Sequence, residues 1–494
     1  MKNKRLIILP QLRFRNEGKR CVLYTVDDFF YNPEHITIVY PYEVIFLLLF
    51  DGKKTFSEVC KDFDYLFNTV ERFKRTPEET GKLVIKGLES RIKLPKLLIE
   101  AKNLDNKTID KINSRYSIKD FIIPDKKLDM NFTDIRLKSP LSVNFNASTV
   151  CGFRCRYCYH PLNPVTNYLG VDRLKEIFKE LDELKCESIL LSGGDPLCNP
   201  YIEQIIEELG KTNIQFTIST KSVLSEKQLK HFFDCGLRTL QVSLDSVDNT
   251  IVQNLLGISD KTYVEKIIDM IHFCIKIGIR VRVKSVLTSY NIESIPALID
   301  KFNNIPVEEV RLVQYGRTAF RHTDDLFPSA EQLNSASKMI NDAISRNKNV
   351  NVVLDDLVQE IRNPISMRKD KDEVHIFKER AICNAGRNAI TLLPNGEVTV
   401  CENLPYQKEF ILGNLAETSV KEFWNGTGVK KWLSPPDRET FAENSPCRNC
   451  KKDNYDNCHK VYSRCLRFCH ETFKHTNEGD IHCPLVHFEP YRLT

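Results

Sequence analysis

The sequence predicts an α/β protein whose centre is a mostly parallel β-sheet, open or curled into a partial barrel. Three observations lead there. Between residues 141 and 315, short apolar runs alternate with longer stretches of helical periodicity, the pattern of strand–helix–strand units. Six runs read as strands, at 141–145, 188–191, 214–219, 239–244, 279–287 and 307–314, with helix-like stretches such as 171–184, 201–209, 263–277 and 292–301 between them. Residues suited to chemistry collect where these runs end: Cys151 after the first, Gly193-Gly194-Asp195 after the second, Ser219 in the third and Asp245 after the fourth. Sites in parallel α/β folds lie at the C-terminal ends of the strands, so the two patterns agree.

At 494 residues the chain exceeds one ordinary core, and two or three domains are expected. Its 71 basic and 66 acidic residues leave a formal charge of +5, with no basic stripe interleaved with aromatics. That balance argues against nucleic acid as a partner. The apolar run at 44–50 is far too short to span a membrane, and residues 1–10 lack a small-residue cleavage site. A cytoplasmic location is the expectation.

Residues 1–95 read as a winged-helix-like module of strands followed by helices. It has β-rich runs at 21–24 and 35–39, an apolar-faced helix at 41–50, and a turn at Asp51-Gly52. Thr55 and Glu58 have the spacing of a capping box for the next helix. Such a unit is either a packing cap or a platform whose strand edge captures an extended peptide. Residues 96–140 are polar and lysine-rich, as in a linker. The barrel is expected over 141–325, followed by bridging helices over 326–382, with helical stretches at 329–346 and 353–362. A cysteine-rich region runs from 383 to 494.

Seventeen cysteines are distributed unevenly. Cys21, Cys60, Cys186, Cys198, Cys235 and Cys274 are scattered, and the rest cluster at 151–158 and 383–483. In a long chain with no sign of secretion, clustered thiols read as metal ligands rather than a disulfide framework. Cys151, Cys155 and Cys158 have the spacing C-x3-C-x2-C. Three thiolates so placed hold three corners of a [4Fe–4S] cluster and leave one iron open. A structural zinc site would need a fourth ligand, and His160 reads as a neighbour of the cluster rather than that ligand. Cys235 and Cys274 lie in helix-like segments and read as packing residues. Cys198, close to Gly193–Pro196, is the scattered cysteine with a candidate catalytic role. Downstream are Cys383, Cys401, Cys447, Cys450, Cys458, Cys465, Cys469 and Cys483. Two short strands joined by a turn at 394–396 bring Cys383 and Cys401 together. Eight thiolates equal two sets of four, which argues for two closed clusters, with zinc an alternative for part of the region.

With Tyr157 just before its last cysteine, the C-x3-C-x2-C pattern resembles the radical S-adenosylmethionine (SAM) superfamily. The resemblance implies a (β/α)6 partial TIM barrel, an open iron that chelates SAM, and a 5′-deoxyadenosyl radical. Gly193-Gly194-Asp195-Pro196 resembles the family's Gly-Gly-Glu-Pro loop, which binds the methionine amino group. Paired glycines let a backbone approach a ligand that a Cβ would block, and Asp195 keeps the family's charge with a shorter reach. Ser219, Ser243 and Asp245 resemble strand-end positions that contact ribose and carboxylate. The lesser alternative for Ser243 and Asp245 is that they cap the next helix. Arg282 and Lys284 share a strand face. Lys284 is the candidate to neutralise the cofactor carboxylate, unless both line a basic outward face.

The C-terminal region resembles the SPASM domain through Gly396 with Cys401, the pair Cys447 and Cys450, the pair Cys465 and Cys469, and Cys483. That resemblance implies two auxiliary [4Fe–4S] clusters, making three in all. It assigns Cys447, Cys450 and Cys483 to one and Cys383, Cys401 and Cys469 to the other. Fourteen residues separate Cys450 from Cys465, with Cys458 among them, so either Cys458 or Cys465 completes the first set. The whole resembles peptide maturases of this superfamily, with residues 48–59 similar to the recognition module's turn-and-helix signature. A ribosomally made precursor peptide is the implied substrate, an oxidative thioether or carbon–carbon crosslink the implied product, and flavodoxin or ferredoxin the kind of reductant required. The alternatives are maturation of a sulfatase-type or amine-dehydrogenase-type protein, peptide epimerisation, backbone excision, and an iron–sulfur electron-transfer protein.

Overall fold

The chain folds into two units, Met1–Lys138 and Ser139–Thr494. The structure is a computed structural model and describes all residues except 1, 28, 31–32, 133, 162–163, 317, 319, 355–381, 463, 482 and 487–494.

The first unit contains β1 (Arg5–Ile8), β2 (Leu12–Asn16), β3 (Cys21–Val26), β4 (Pro33–Val39), β5 (Asp51–Thr55) and β6 (Leu98–Glu100). β2, β3 and β4 form an antiparallel meander, and β1 lies between β5 and β6 in a second antiparallel sheet. Every residue of β3 is buried, as expected of a central strand, while β4 forms an edge with Glu34 and His35 exposed. Asp51-Gly52, expected only as a turn, opens β5. The predicted capping box is formed: the Thr55 amide donates to Glu58 Oε2 at 2.7 Å, and the Glu58 amide donates to Thr55 Oγ1 at 3.4 Å. It starts the helix Phe56–Phe67, whose Phe56, Val59, Cys60 and Phe63 pack with Phe46 and Phe50. The helix Pro77–Ile92 crosses close by, because a Cβ on Gly81 would lie only 2.5 Å from Cys60 Sγ.

Residues 96–140 do not form the expected linker. β6 pairs with β1, the helix Asn106–Asn113 buries Ile112, and Phe121 and Ile123 share a core with Leu12, Phe14 and Leu23. The Tyr116 hydroxyl accepts from the Phe14 amide at 3.0 Å. These apolar anchors are sparse and spaced among lysines, so the segment shows no amphipathic period although it is folded onto the unit.

The second unit holds β7 (Ser142–Ser148), β8 (Ser188–Gly193), β9 (Gln215–Thr220), β10 (Thr239–Ser243), β11 (Arg280–Leu287), β12 (Glu309–Gln314), β13 (Val352–Leu354), β14 (Ala389–Leu392), β15 (Glu397–Thr399) and β16 (Ile411–Asn414). β7 to β13 pair in chain order and in parallel, and the first six are the predicted strands of the partial barrel. Helices Val171–Glu183, Ile202–Leu209, Glu226–Asp234 and Tyr263–Ile277 bury apolar stripes between them. The stretch 292–301 is divided into one helical turn, Ile292–Ser294, and the helix Ile295–Phe302. Proline in the first turn of the latter accounts for the division, since it lacks an amide to donate backwards. The helix Ala330–Arg346 follows, with the Ser329 hydroxyl accepting from the Gln332 amide at 3.1 Å. Of the stretch expected at 353–362, only the end of β13 falls within the described residues.

The predicted hairpin is β14–β15, closed by the Leu393 amide donating to Glu397 O at 2.8 Å, with Gly396 at φ +88°. β14 also pairs in parallel with β7, aligning Leu392 with Phe145. The cysteine-rich region therefore continues the barrel sheet instead of hanging from it. No helix among the described residues is long and apolar enough to cross a membrane.

Two glycines of one helix should respond oppositely to alanine. Gly81→Ala forces a methyl against Cys60, which should cost about 1–3 kcal/mol through overpacking. Gly87 has open space around its Cβ position, and Gly87→Ala should stabilise by about 0.5–1 kcal/mol. Thermal unfolding of the two variants should give midpoints on opposite sides of the wild type.

Candidate active site

The loop after β7 carries Cys151, Cys155 and Cys158, the second buried and the others half-buried. Backbone contacts fix its course. The Arg154 and Arg156 amides donate to Leu256 O at 2.8 Å and Leu255 O at 3.0 Å, and the Gly194 and Asp195 amides donate to Ser148 O at 2.7 Å and Val150 O at 3.0 Å. A Cβ on Gly193, at φ +120°, would lie 2.1 Å from Ser148 O, and one on Gly194 would lie 2.6 Å from Val150 O. The paired glycines are thus required by contact with the chain leading to Cys151.

Asp195 is buried, and its carboxylate is fully engaged. Oδ2 accepts from Thr220 Oγ1 at 2.8 Å and Ser222 Oγ at 3.0 Å, while Oδ1 accepts from the Leu197 amide at 3.0 Å. It ties the end of β8 to the end of β9 and holds the segment containing Lys221. The Lys221 ammonium stands 5.6 Å from the Tyr157 ring centroid. Burial works against its charge, but Asp245 and the thiols of Cys155, Cys158 and Cys151 face it and raise its pKa overall. Lys221 was missed in the sequence because a single lysine after a strand has no pattern. Burial pushes the Cys151 thiol up to about 11 and the Cys155 thiol up to about 12, with Lys221 opposing the second shift.

Tyr157 is buried, and its hydroxyl donates to Asp245, whose other oxygen accepts from the Val286 amide at 3.0 Å. Asp245 does not cap the next helix. That role belongs to Asp248, which accepts from the Thr250 amide at 2.7 Å. Ser219 Oγ accepts from Gln241 Nε2 at 2.7 Å, and Ser243 ends β10 half-buried, in register with Lys284. Arg282 is buried in an ion pair with Glu309 at 2.6 Å. Lys284 lies within electrostatic reach of Glu402, and Lys221 faces the cysteine triad. Cys198 lies beside Cys151 and accepts from the Gly152 amide.

A hydrogen-bonded chain joins this loop to the cysteine-rich region. His160 Nε2 accepts from the Tyr406 hydroxyl at 2.8 Å, and the Tyr406 oxygen accepts from Asn146 Nδ2 at 3.0 Å. Ser192 Oγ donates towards Asn144 and Asn146, and Asn144 Nδ2 donates to Glu402 Oε2 at 2.6 Å. His160 is therefore a partner of Tyr406. Burial lowers its pKa to about 4. Burial raises Glu402, opposed by Asn144, Lys284 and Arg467. The sequence reading missed Glu402 and Tyr406, whose nearness to Cys401 was the available signal.

The later cysteines form two neighbourhoods. Cys383 and Cys401 lie within reach of Cys465, and Cys447 within reach of Cys458, Cys483 and Cys450. Burial pushes Cys401 up to about 11 and Cys447 and Cys465 up to about 12. Arg387 faces Cys383, Arg464 faces Cys447, and Arg467 faces Cys401 and Cys465. Buried thiols beside guanidinium groups are a donor set suited to anionic iron–sulfur clusters. Among the described residues no three His, Cys, Asp or Glu side chains are gathered tightly enough to hold a single metal ion. A cubane cluster takes its cysteines at separate corners and so accepts wider spacing.

Residues 145–325 match the radical SAM superfamily, and residues 383–451 match the SPASM iron–sulfur cluster-binding domain. GTP 3′,8-cyclase of Staphylococcus haemolyticus is 28% identical over 176 residues, 33% of this chain and 51% of the cyclase. The chain thus spans about half the length of such curated relatives. PqqA peptide cyclase of Bradyrhizobium diazoefficiens is 22% identical over 323 residues, 63% of this chain and 79% of that protein. The crystal structure of Streptococcus suis SuiB bound to precursor peptide SuiA aligns with a TM-score of 0.58 and 17% identity, over 97% of this chain and all of SuiB. At that identity the likeness is one of fold.

His160 supplies a pH test. Its pKa is depressed from 6.5 to about 4, so the folded state takes up its proton less readily than the unfolded chain. The corresponding stability is fully present above pH 6.5 and is lost as pH falls through about 4. In the cluster-free chain, NMR should show the imidazole neutral at pH 6, and His160→Gln should flatten the decline of stability below pH 6.5.

Proposed function

We propose that this chain, which belongs to the radical SAM superfamily and carries a SPASM iron–sulfur domain, modifies a ribosomally made precursor peptide and leaves an oxidative thioether or carbon–carbon crosslink. One observation carries the reading. The loop of Cys151, Cys155 and Cys158 is joined by a buried polar chain, through His160, Tyr406, Asn146, Ser192, Asn144 and Glu402, to the residue beside Cys401. The residues for starting a radical and those for removing an electron from its product thus border one polar region at the strand ends.

Cys151, Cys155 and Cys158 would hold the SAM-binding cluster, with Lys221 placed to meet the cofactor carboxylate. The later cysteines would hold two auxiliary clusters. When bound, these groups supply a 5′-deoxyadenosyl radical and an acceptor for the electron that crosslinking releases. The chain's own part is positioning. Asp195 holds the Lys221 segment, Tyr157 and Asp245 hold each other, and Glu402 and Tyr406 offer polar atoms to an entering peptide. A flavodoxin or ferredoxin is the proposed reductant.

The first unit is the proposed peptide-docking module. β4 offers an edge to which an extended peptide could add a strand. Basic residues outnumber acidic ones in 1–138, which suits an acidic docking segment. SuiB, of like fold, has been crystallised with its precursor peptide, and PqqA peptide cyclase carries a peptide substrate in its name. Both support a peptide over a folded protein substrate.

Anaerobic turnover of the full chain with SAM, a reductant and the precursor peptide encoded beside its gene tests the reading. Product lighter by two hydrogens is expected. Unchanged mass with one solvent deuterium would replace crosslinking by epimerisation, and a larger loss would replace it by backbone excision. Failure to alter any neighbouring peptide would overturn the peptide substrate. Cys155→Ala should abolish 5′-deoxyadenosine release, measured by chromatography.

A further inference from the structure

Two buried hydrogen-bond donors near Cys447 have no acceptor among the described residues: the Ser445 hydroxyl and Arg464 Nε. Ser445 is 2% exposed and opens a turn, with the Arg448 amide donating to Ser445 O at 3.1 Å. Pro446 and Cys447 form the middle of that turn, so the hydroxyl starts two residues from the Cys447 thiol. The backbone around it is already satisfied. The Ser445 amide donates to Ala442 O at 2.9 Å, and Arg438 Nη1 donates to Arg448 O at 2.9 Å and Cys450 O at 2.7 Å. Arg464 arrives from a different segment. Its guanidinium lies 4.8 Å from the Phe441 ring centroid, and its Nη1 donates to Thr476 O and Glu478 O. The residue after Glu478 packs against Cys447, since a Cβ on Gly479 would lie 3.3 Å from Cys447 Sγ. Leaving a buried donor unpaired is costly, and native proteins rarely do so. Cys447 lies within the SPASM match, and anionic sulfur is the acceptor that such a site supplies.

We propose that the Ser445 hydroxyl and Arg464 Nε donate hydrogen bonds to sulfur of the auxiliary cluster that Cys447 helps to hold, and that these bonds make that cluster easier to reduce. Negative charge on the sulfurs grows on reduction, so a donor directed at them favours the reduced form. Arg464 also opposes the upward push of burial on the Cys447 and Cys469 thiols. Both side chains tune the cluster and touch no substrate. The inference needs Cys447 as a ligand, whichever other cysteines complete its set. Its consequence for crosslinking, that the released electron is drawn towards this cluster, rests on the peptide reading. The hydrogen bonds themselves do not, and no peptide enters their test.

The test uses the full-length protein with Cys151, Cys155 and Cys158 all changed to alanine, so that only auxiliary clusters remain. After anaerobic reconstitution iron is counted, and each midpoint potential is read by a titration followed by electron paramagnetic resonance (EPR). Ser445→Ala should keep the iron content and lower one of the two potentials. The reduced-to-oxidised ratio of that cluster should fall about tenfold at fixed potential, about 59 mV for one electron. Ser445→Thr, which keeps the hydroxyl, should restore the original value. Arg464→Lys, which keeps the charge and removes Nε, should lower the same potential. Electron–nuclear double resonance gives a second reading: one proton signal that D2O removes should be missing in Ser445→Ala. Should Ser445→Ala fail to take up iron, Ser445→Gly removes the same hydroxyl and carries the same reading. Unchanged potentials and proton signals at full iron content would overturn the proposal and assign the hydroxyl to a buried water. Zinc in place of iron would also overturn it.

Discussion

The contact of Gly193-Gly194 with the backbone at 148–150 sets the geometry on which the rest of the site depends. Adjacent parallel strands β7 and β8 end together, and their outgoing chains run so close that neither glycine can carry a side chain. From that contact the Cys151–Cys158 loop departs in one direction. Asp195 departs in the other, reaching β9 and holding the Lys221 segment. Tyr157 returns from the loop to Asp245 after β10. Four consecutive strand ends are thereby joined by backbone amides, a carboxylate and a phenol, and the three thiols stand on a support whose every part is tied to another.

Electrostatics then favour anions at this support. A buried thiol resists ionisation, and burial raises Cys151, Cys155, Cys401, Cys447 and Cys465. Each neighbourhood also holds a cation: Lys221 by the first three cysteines, Arg387 and Arg467 by the Cys383 set, Arg464 by the Cys447 set. Thiols that are reluctant acids alone, beside cations that welcome negative charge, ionise when iron binds. The polar chain from His160 to Glu402 joins the first neighbourhood to the second inside one continuous sheet.

Much of this was legible in the sequence, and the failures have physical reasons. The six barrel strands were visible because each is a short β-rich run set between longer helix-like stretches. The cysteine triad was visible because its ligands are local. The 96–140 segment was misread because a few anchors, Ile112, Phe121 and Ile123, hold it among many lysines. Asp245 and Asp248 both precede a helix, and only the fold shows that the first holds Tyr157 and the second caps. Lys221 and Tyr406 take their roles from residues distant in sequence, which no local pattern encodes.

The central claim is that Cys151, Cys155 and Cys158 present an open iron to SAM. The most direct measurement is the EPR spectrum of the anaerobically reconstituted, reduced protein before and after SAM is added. A change in one cluster's signal on adding SAM, absent when any of the three cysteines is alanine, is the predicted result. A spectrum unaltered by SAM in a protein with its full iron content would contradict the account.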